Sequence, residues 1–271
     1  MDLSRPTIKK QQESNYETCA HLTNFIRKNQ PRGIEISVGG EIGEVGHQNS
    51  TVDDLRAFME GYRQRLRKGR VGISKISVQT GTSHGGVVLP DGTIAKVKLD
   101  FDTLRDLSKI AREEFGLAGA VQHGASTLPP EAFGKFAEVG TAEVHLATEF
   151  QNMVYESPHF PKELKARIYE WLHKTQGPTE RKPDQTEEQF IYSTRKKALG
   201  PFKKDIMGLS KEARDAIAKE IEAKFEFLFS RLNTANTKEF VDKHTVLNRV
   251  ISRKRKDKTS KSVELSHEGA D

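Results

Sequence analysis

The chain has 271 residues, with 44 Lys plus Arg against 38 Asp plus Glu and a formal net charge of +6; this length allows one large domain or two small ones. Hydrophobic residues are 35% and the mean hydropathy is -0.66, more polar than an ordinary globular average, so part of the chain is expected to be tail or exposed helix, and no apolar run approaches the ~18 residues of a membrane span. The single cysteine, Cys19, excludes an internal disulfide and a Cys-rich zinc module; with no apolar leader over the first six residues it fits a cytoplasmic protein.

Residues 7–29 place Tyr16, Cys19, Ala20, Leu22, Phe25 and Ile26 on an approximate helical stripe, closed by Gln30-Pro31-Arg32-Gly33. Ile34 to Val38 reads as a strand, followed by the glycine-rich run Gly39 to Gly46. An amphipathic helix is expected over 52–66, a strand over 73–80, a helix over 101–115 and a short buried strand over 118–122. A helix from Pro129-Pro130-Glu131 through Val139 and a last strand over 144–146 complete the series. Met1 to Ser4 reads as the end of one further strand. Alternation of strand, loop and helix implies parallel strands with crossover helices. In a β/α barrel the loops after the strands form the active-site face.

After about residue 157 the character changes. Helices are expected over 161–174 and 209–232, joined by a Pro- and charge-rich linker over 176–189. From Ser252 onward almost no apolar residue occurs, which is the composition of a disordered tail. The chain is thus expected to divide into a partial barrel over 1–157, a helical extension over 158–251 and a disordered tail over 252–271.

His84 and His123 each follow an expected strand directly and precede a glycine. Two neutral imidazoles at the tops of neighbouring parallel strands can share one divalent metal; each alone is more simply a turn histidine. Glu41 also follows a strand, where it could ligate a metal, orient a ligand histidine or stand as a solvated loop acid. Gly85, Gly124, Ser126 and Thr148 lie in loops that open helices, where exposed amides bind phosphate.

The runs Gly39-Gly40-Glu41-Ile42-Gly43-Glu44-Val45-Gly46, Gly81-Thr82-Ser83-His84-Gly85, His123-Gly124-Ala125-Ser126 and Val144-His145-Leu146-Ala147-Thr148-Glu149 occur in this order. Together they resemble the fifth to eighth strand ends of the class II, metal-dependent ketose-bisphosphate aldolases, over roughly residues 1–155. The rest resembles the long C-terminal extension of a larger subgroup. The resemblance implies an α/β fold of the (β/α)8 TIM-barrel type, here only its C-terminal part followed by a helical extension. It also implies a zinc-dependent cleavage of fructose 1,6-bisphosphate to dihydroxyacetone phosphate and glyceraldehyde 3-phosphate. His84 and His123 match two of the family's three zinc ligands, and Glu41 matches a carboxylate lining an alternative metal position. Gly85, Gly124, Ser126 and Thr148 match the phosphate and monovalent-cation loop.

Several departures accompany this likeness. The family's third zinc histidine, and the aspartate that handles the hydroxyl proton, belong to a strand earlier than Met1, so no catalytic base is assigned. Gln48 and Asn49 stand where the family has an acidic pair, and Ala147 where it has an aspartate. His145 replaces the substrate-binding asparagine, which makes it a packed or substrate-side residue in the simpler reading and a metal ligand in the bolder one. Four strands cannot close a barrel. The chain is therefore expected to be a truncated copy, or to find its missing half in a partner or oligomer. The competing reading is a non-catalytic pseudoenzyme or assembly subunit that retains sugar-phosphate binding. A Schiff-base aldolase using Lys75 is discounted, because Lys75 begins its strand and so lies towards the stability face of a barrel. The isoelectric point near 9.2 suits an anionic small substrate. Nucleic acid is not an expected partner: basic residues are interleaved with acids, and Arg253-Lys254-Arg255-Lys256 has no aromatic stacking set beside it. No membrane partner is expected.

Overall fold

The computed structural model describes residues 1–43, 48–81, 88–91, 93–95 and 99–245. The expected tail over 252–271 lies outside the described residues. One turn of helix, α1 (Ile8–Gln11), leads into α2 (Glu13–Asn29), β1 (Gly39–Glu41), α3 (Val52–Arg65), β2 (Lys75–Val78), α4 (Phe101–Glu113), β3 (Ala120–Gln122), α5 (Ala132–Glu138), β4 (Glu143–Val144) and α6 (Thr148–Glu156). Then follow α7 (Lys162–Thr175), α8 (Gly177–Glu180), α9 (Glu187–Thr194), α10 (Lys203–Met207), α11 (Lys211–Arg231) and α12 (Lys238–His244).

The four strands form one sheet in the order β1-β2-β3-β4, every pair parallel. The register aligns Glu41 with Ser77, Ser77 with Val121 and Val121 with Glu143. Successive strand residues face opposite sides of a sheet, so this row shares one face. The other face presents Ile76, Val78 and Ala120, buried with Leu55, Phe58, Leu104, Leu107 and Phe133 from the helices. The result is α/β with crossover helices on one face and a polar row on the other, consistent with the barrel type and with helical content towards the C-terminus.

The first strand differs from its expected place. Pairing starts at Gly39, not at Ile34. The backbone at Ile36 is occupied otherwise: buried Arg27 donates to the carbonyls of Ile36 (2.6 Å), Val71 (2.8 Å) and Gly72 (3.1 Å), and Gln30 Oε1 accepts from Ile36 N. The glycines that follow are what the ladder requires. A Cβ on Gly40 would stand 3.0 Å from both Ile76 and Phe58. Met1 to Ser4 forms no strand either; Asp2 accepts from the Ser4 amide and hydroxyl and from Arg5, making a turn.

Helices α2 and α3 cross at Gly61, where the Tyr16 ring takes the space of a side chain. The capping box of Thr51 and Asp54 starts α3. The buried Tyr62 hydroxyl donates to Thr23 Oγ1 and accepts from Ile73 N.

The C-terminal helices build a second apolar cluster around Tyr155, Phe160, Ile168, Leu172 and Phe190. The segment over 176–189, read as a linker, instead contains α8 and the start of α9. Thr186 and Gln189 form a second capping box, a signal present in the sequence. Lys224 of α11 is ion-paired with Glu149 in the first turn of α6, and Phe150 stacks on Phe225 at 4.8 Å. Among the described residues no helix is long and apolar enough to cross a membrane.

Candidate functional site at the strand ends

His123 is the first residue after β3, and Glu41 is the last of β1. Both line a cavity of about 410 Å³ on the polar face of the sheet, together with Lys75, Ser77, Val121 and His145. Helix α2 contributes Asn15, Thr18, Cys19 and Leu22 to the same wall. Asn15 Nδ2 donates to the Glu41 carbonyl at 2.5 Å, and Gln12 Nε2 to the Ile42 carbonyl at 3.2 Å, so α2 buttresses the end of β1. Burial pushes the Cys19 thiol up, which makes it a poor thiolate donor here.

The His123 imidazole is fixed on two sides. Its Nε2 lies 3.1 Å from Ser77 Oγ on the neighbouring strand, and its ring stacks on that of His145 with centroids 4.6 Å apart. His145 Nε2 in turn lies 2.9 Å from Glu143 Oε2, and Lys75 is ion-paired with the other carboxylate oxygen of Glu143. Burial raises the Glu143 carboxyl, but the hydrogen bonds from Lys75 and His145 outweigh it and hold the group below its ordinary range. Lys75 therefore faces the cavity as half of an ion pair with Glu143.

A buried amide network holds the strand ends. Thr80 Oγ1 donates to Gln122 Oε1 at 2.6 Å, and Gln122 Nε2 donates to the His123 carbonyl at 2.5 Å. Gln79 Oε1 accepts from the amides of Thr80 (2.8 Å) and Gly81 (3.1 Å), while Ser50 and Gln79 exchange two further bonds. Gln79 and Gln122 thus hold both strand ends, although glutamine in a strand pattern gives no warning of such a role. Ser77 and Glu143 were equally silent in the sequence. Strand alternation could have marked them, since they share a face with Glu41 and His123.

Gly124, Ser126 and Thr148 do not line this cavity. Gly124 adopts φ 68°, the left-handed turn that ends β3 and starts the short helical turn Ala125–Thr127. Ser126 Oγ accepts from the Ala147 amide at 3.1 Å, which places the Ser126 hydroxyl at the start of α6 beside Thr148. A helix N-terminus with a hydroxyl beside it is a fit receptor for a phosphate. His84 and Gly85 lie outside the described residues. Among the described residues no group of three or more His, Cys, Asp or Glu side chains could hold a metal ion; of the three expected ligands, Glu41 and His123 are described and line the cavity. Asn49 bonds Asp100 Oδ2 at 3.1 Å.

Solved structures similar to the chain include two aldolases. The YdjI aldolase from Escherichia coli K12 matches at 16% identity and a TM-score of 0.34, with 79% of this chain aligned to 60% of that one. A fructose-bisphosphate aldolase from Campylobacter jejuni matches at 20% identity and a TM-score of 0.43, with 83% of this chain aligned to 58% of that one. The chain spans about 60% of the length of these solved structures. A family profile described as fructose-bisphosphate aldolase class-II matches residues 1–233, from the first helix through the strand-end cavity and on across α11. The chain belongs to the class II fructose-bisphosphate aldolase family.

Proposed function

We propose that this chain carries the C-terminal part of a site for metal-dependent aldol cleavage of a ketose 1,6-bisphosphate, fructose 1,6-bisphosphate in the first instance. One observation supports it most: His123 and Glu41 meet in one cavity at the C-terminal ends of parallel strands. In this reading His123 and His84 hold a zinc ion and Glu41 lines its alternative position. The metal polarises the ketose carbonyl when bound.

The chain's own groups bind and orient. The Gly124 loop, the Ser126 hydroxyl, the first turn of α6 and Gly85 hold one phosphate, with a monovalent cation beside it. His145, steadied by Glu143, donates to a substrate hydroxyl from its exposed edge. Ser77 fixes the ring of His123. Cleavage removes the proton of the C4 hydroxyl and breaks the C3–C4 bond, leaving its electron pair on the ketose fragment, which then takes up a proton. The group that accepts the hydroxyl proton is expected from further β/α units, in the same chain or a partner. Among the described residues β1 and β4 are each paired on one side only, and unpaired strand edges favour association. The working compartment in this reading is the cytoplasm. The second reading is a sugar-phosphate-binding subunit without turnover.

The test is coupled detection of triose phosphate. The purified 271-residue chain is expected to cleave fructose 1,6-bisphosphate negligibly, because catalytic zinc ordinarily takes three protein ligands. Adding the preceding β/α units, in cis or as a second chain, is expected to give EDTA-sensitive turnover that His84→Ala or His123→Ala abolishes. Robust EDTA-sensitive turnover by the chain alone would show that its own residues complete the ligand set, with His145 the first suspect. No turnover in the completed protein, with phosphate binding intact, would establish the second reading.

A further inference from the structure

The segment between β2 and α4 carries His84, and its described part folds back on itself: Val88 and Ile94 form an antiparallel bridge, and Leu89 N donates to the Thr93 carbonyl at 2.7 Å. Asp91 Oδ1 closes the turn, accepting from the amide (2.9 Å) and hydroxyl (2.7 Å) of Thr93. This hairpin is gripped from far along the chain. Gln189 Nε2 donates to the Val88 carbonyl at 2.8 Å, and Thr186 Oγ1 donates to the Pro90 carbonyl at 3.1 Å.

The same two side chains build the capping box of α9. Thr186 Oγ1 accepts from Gln189 N at 3.3 Å, and Gln189 Oε1 accepts from Thr186 N at 3.0 Å. A hydroxyl has one proton and two lone pairs, and an amide has separate donor and acceptor ends. Each residue therefore caps the helix with its acceptor and holds the hairpin with its donor. Helix α9 itself is seated by buried Phe190 and Ile191 in the second apolar cluster.

We propose that the N-terminus of α9 is a clamp on the His84-bearing segment, and that Thr186 and Gln189 are positioning residues through which the C-terminal helices set the metal-binding loop. The metal consequence rests on the proposed role of His84; the clamp does not.

Capping and clamping separate chemically, because a carboxylate accepts but does not donate. In the double variant Thr186→Asp, Gln189→Glu, both caps of α9 survive and both bonds to the hairpin are lost. Thr186→Ser keeps donor and acceptor. The full-length chain and these variants are compared by hydrogen–deuterium exchange over the hairpin, residues 88–95, and by zinc titration in a calorimeter. The double variant is expected to exchange at least about tenfold faster there while its melting temperature and exchange over α9 stay unchanged, and to bind zinc several-fold more weakly. Thr186→Ser is expected to match the parent in both. Unchanged exchange in the double variant overturns the clamp. Faster exchange with unchanged zinc affinity overturns the positioning role, provided His84→Ala does weaken zinc binding. If His84→Ala binds zinc as the parent does, the metal reading of His84 fails, and the exchange result alone then decides the clamp.

Discussion

Ser77 Oγ lies 3.1 Å from His123 Nε2, joining the middle of β2 to the end of β3 across the floor of the cavity. A histidine that binds a metal through one nitrogen is oriented by the bond its other nitrogen makes. In the proposed metal reading Ser77 is thus the residue that orients the His123 ring. Ser77→Ala is expected to weaken zinc binding about 10- to 100-fold, the usual scale for a group that orients a ligand, without loss of fold. A zinc competition titration with equal affinities for the two proteins would show that the serine bond does not orient a ligand.

Gly43 follows β1 at the point where the chain passes closest to β2. A Cβ there would lie 2.5 Å from the backbone nitrogen of Gln79 and 2.8 Å from Ser50 Oγ. The clash is with backbone that carries the strand-end network, so a side-chain shift cannot relieve it. Gly43→Ala is expected to cost about 1–3 kcal/mol, the range for overpacking. A urea melt within a few tenths of a kcal/mol of the parent would mean that the end of β1 yields more easily than its bonding indicates.

Much of this arrangement was legible in the sequence, and the reason is local. The helical stripe at Leu55–Tyr62 and the strand at Ile76–Val78 carry their burial pattern in their spacing and are buried as it requires, whereas in the first stripe Tyr16 and Ala20 are buried but Leu22 and Phe25 are exposed. The first strand was misplaced because Ile34, Ile36 and Val38 alternate like a strand, whereas the decisive interaction is long-range: Arg27 takes the Ile36 carbonyl out of any ladder. The Lys75–Glu143–His145 chain and the clamp of α9 on Val88 and Pro90 escaped for the same reason, since each joins residues remote in sequence. Glu41, His123, Ser126 and Thr148 were singled out by their places after strands and before helices, a position that parallel β/α topology makes functional.

Arg195 joins the C-terminal helices to α6. It is 5% exposed, lies over the rings of Tyr155 and Tyr192, and bonds both Asn152 and Glu156 (2.8 Å). Its own carbonyl accepts from the Tyr155 hydroxyl at 3.1 Å, and burial pushes that phenol up to about 12. Arg195→Ala removes both the packing between two rings and the hydrogen bonds, and is expected to cost about 2–4 kcal/mol. Glu156 is 61% exposed, so Glu156→Gln is expected to cost less than about 1 kcal/mol. Chemical denaturation giving equal losses for the two would mean that the ion pair, not the buried guanidinium, holds this joint.

Asp100 caps α4, which packs behind β2 and β3. Bonds from the Thr103 amide (2.9 Å) and hydroxyl (2.8 Å), with a smaller one from Asn49, hold its carboxyl below the ordinary range. A depressed carboxyl stabilises the folded chain fully above the unfolded value, near 3.9, and loses that contribution as pH falls through the folded value. Asp100→Ala is expected to cost about 1 kcal/mol at pH 7. The difference from the parent should stay level down to about pH 5 and narrow below about pH 4. A gap that stays constant to pH 2 would show that the neutral acid caps as well as the carboxylate.

Ser126 offers the cleanest test of the anion receptor. Its hydroxyl oxygen accepts from the Ala147 amide, which leaves its proton to donate to a phosphate oxygen at the start of α6. Ser126→Ala removes that donor but keeps the small side chain between Ala125 and Thr127. Binding of fructose 1,6-bisphosphate, or of inorganic phosphate as the simpler probe, is expected to weaken by about 1–2 kcal/mol, the scale of one hydrogen bond to a charged group. That corresponds to roughly a 5- to 30-fold rise in Kd. The effect should be the same with and without EDTA, because the phosphate contact does not pass through a metal. Calorimetry showing unchanged affinity would remove the Gly124–Ser126 turn from the phosphate site, and a loss confined to the zinc-loaded protein would place Ser126 on the metal side of the cavity instead.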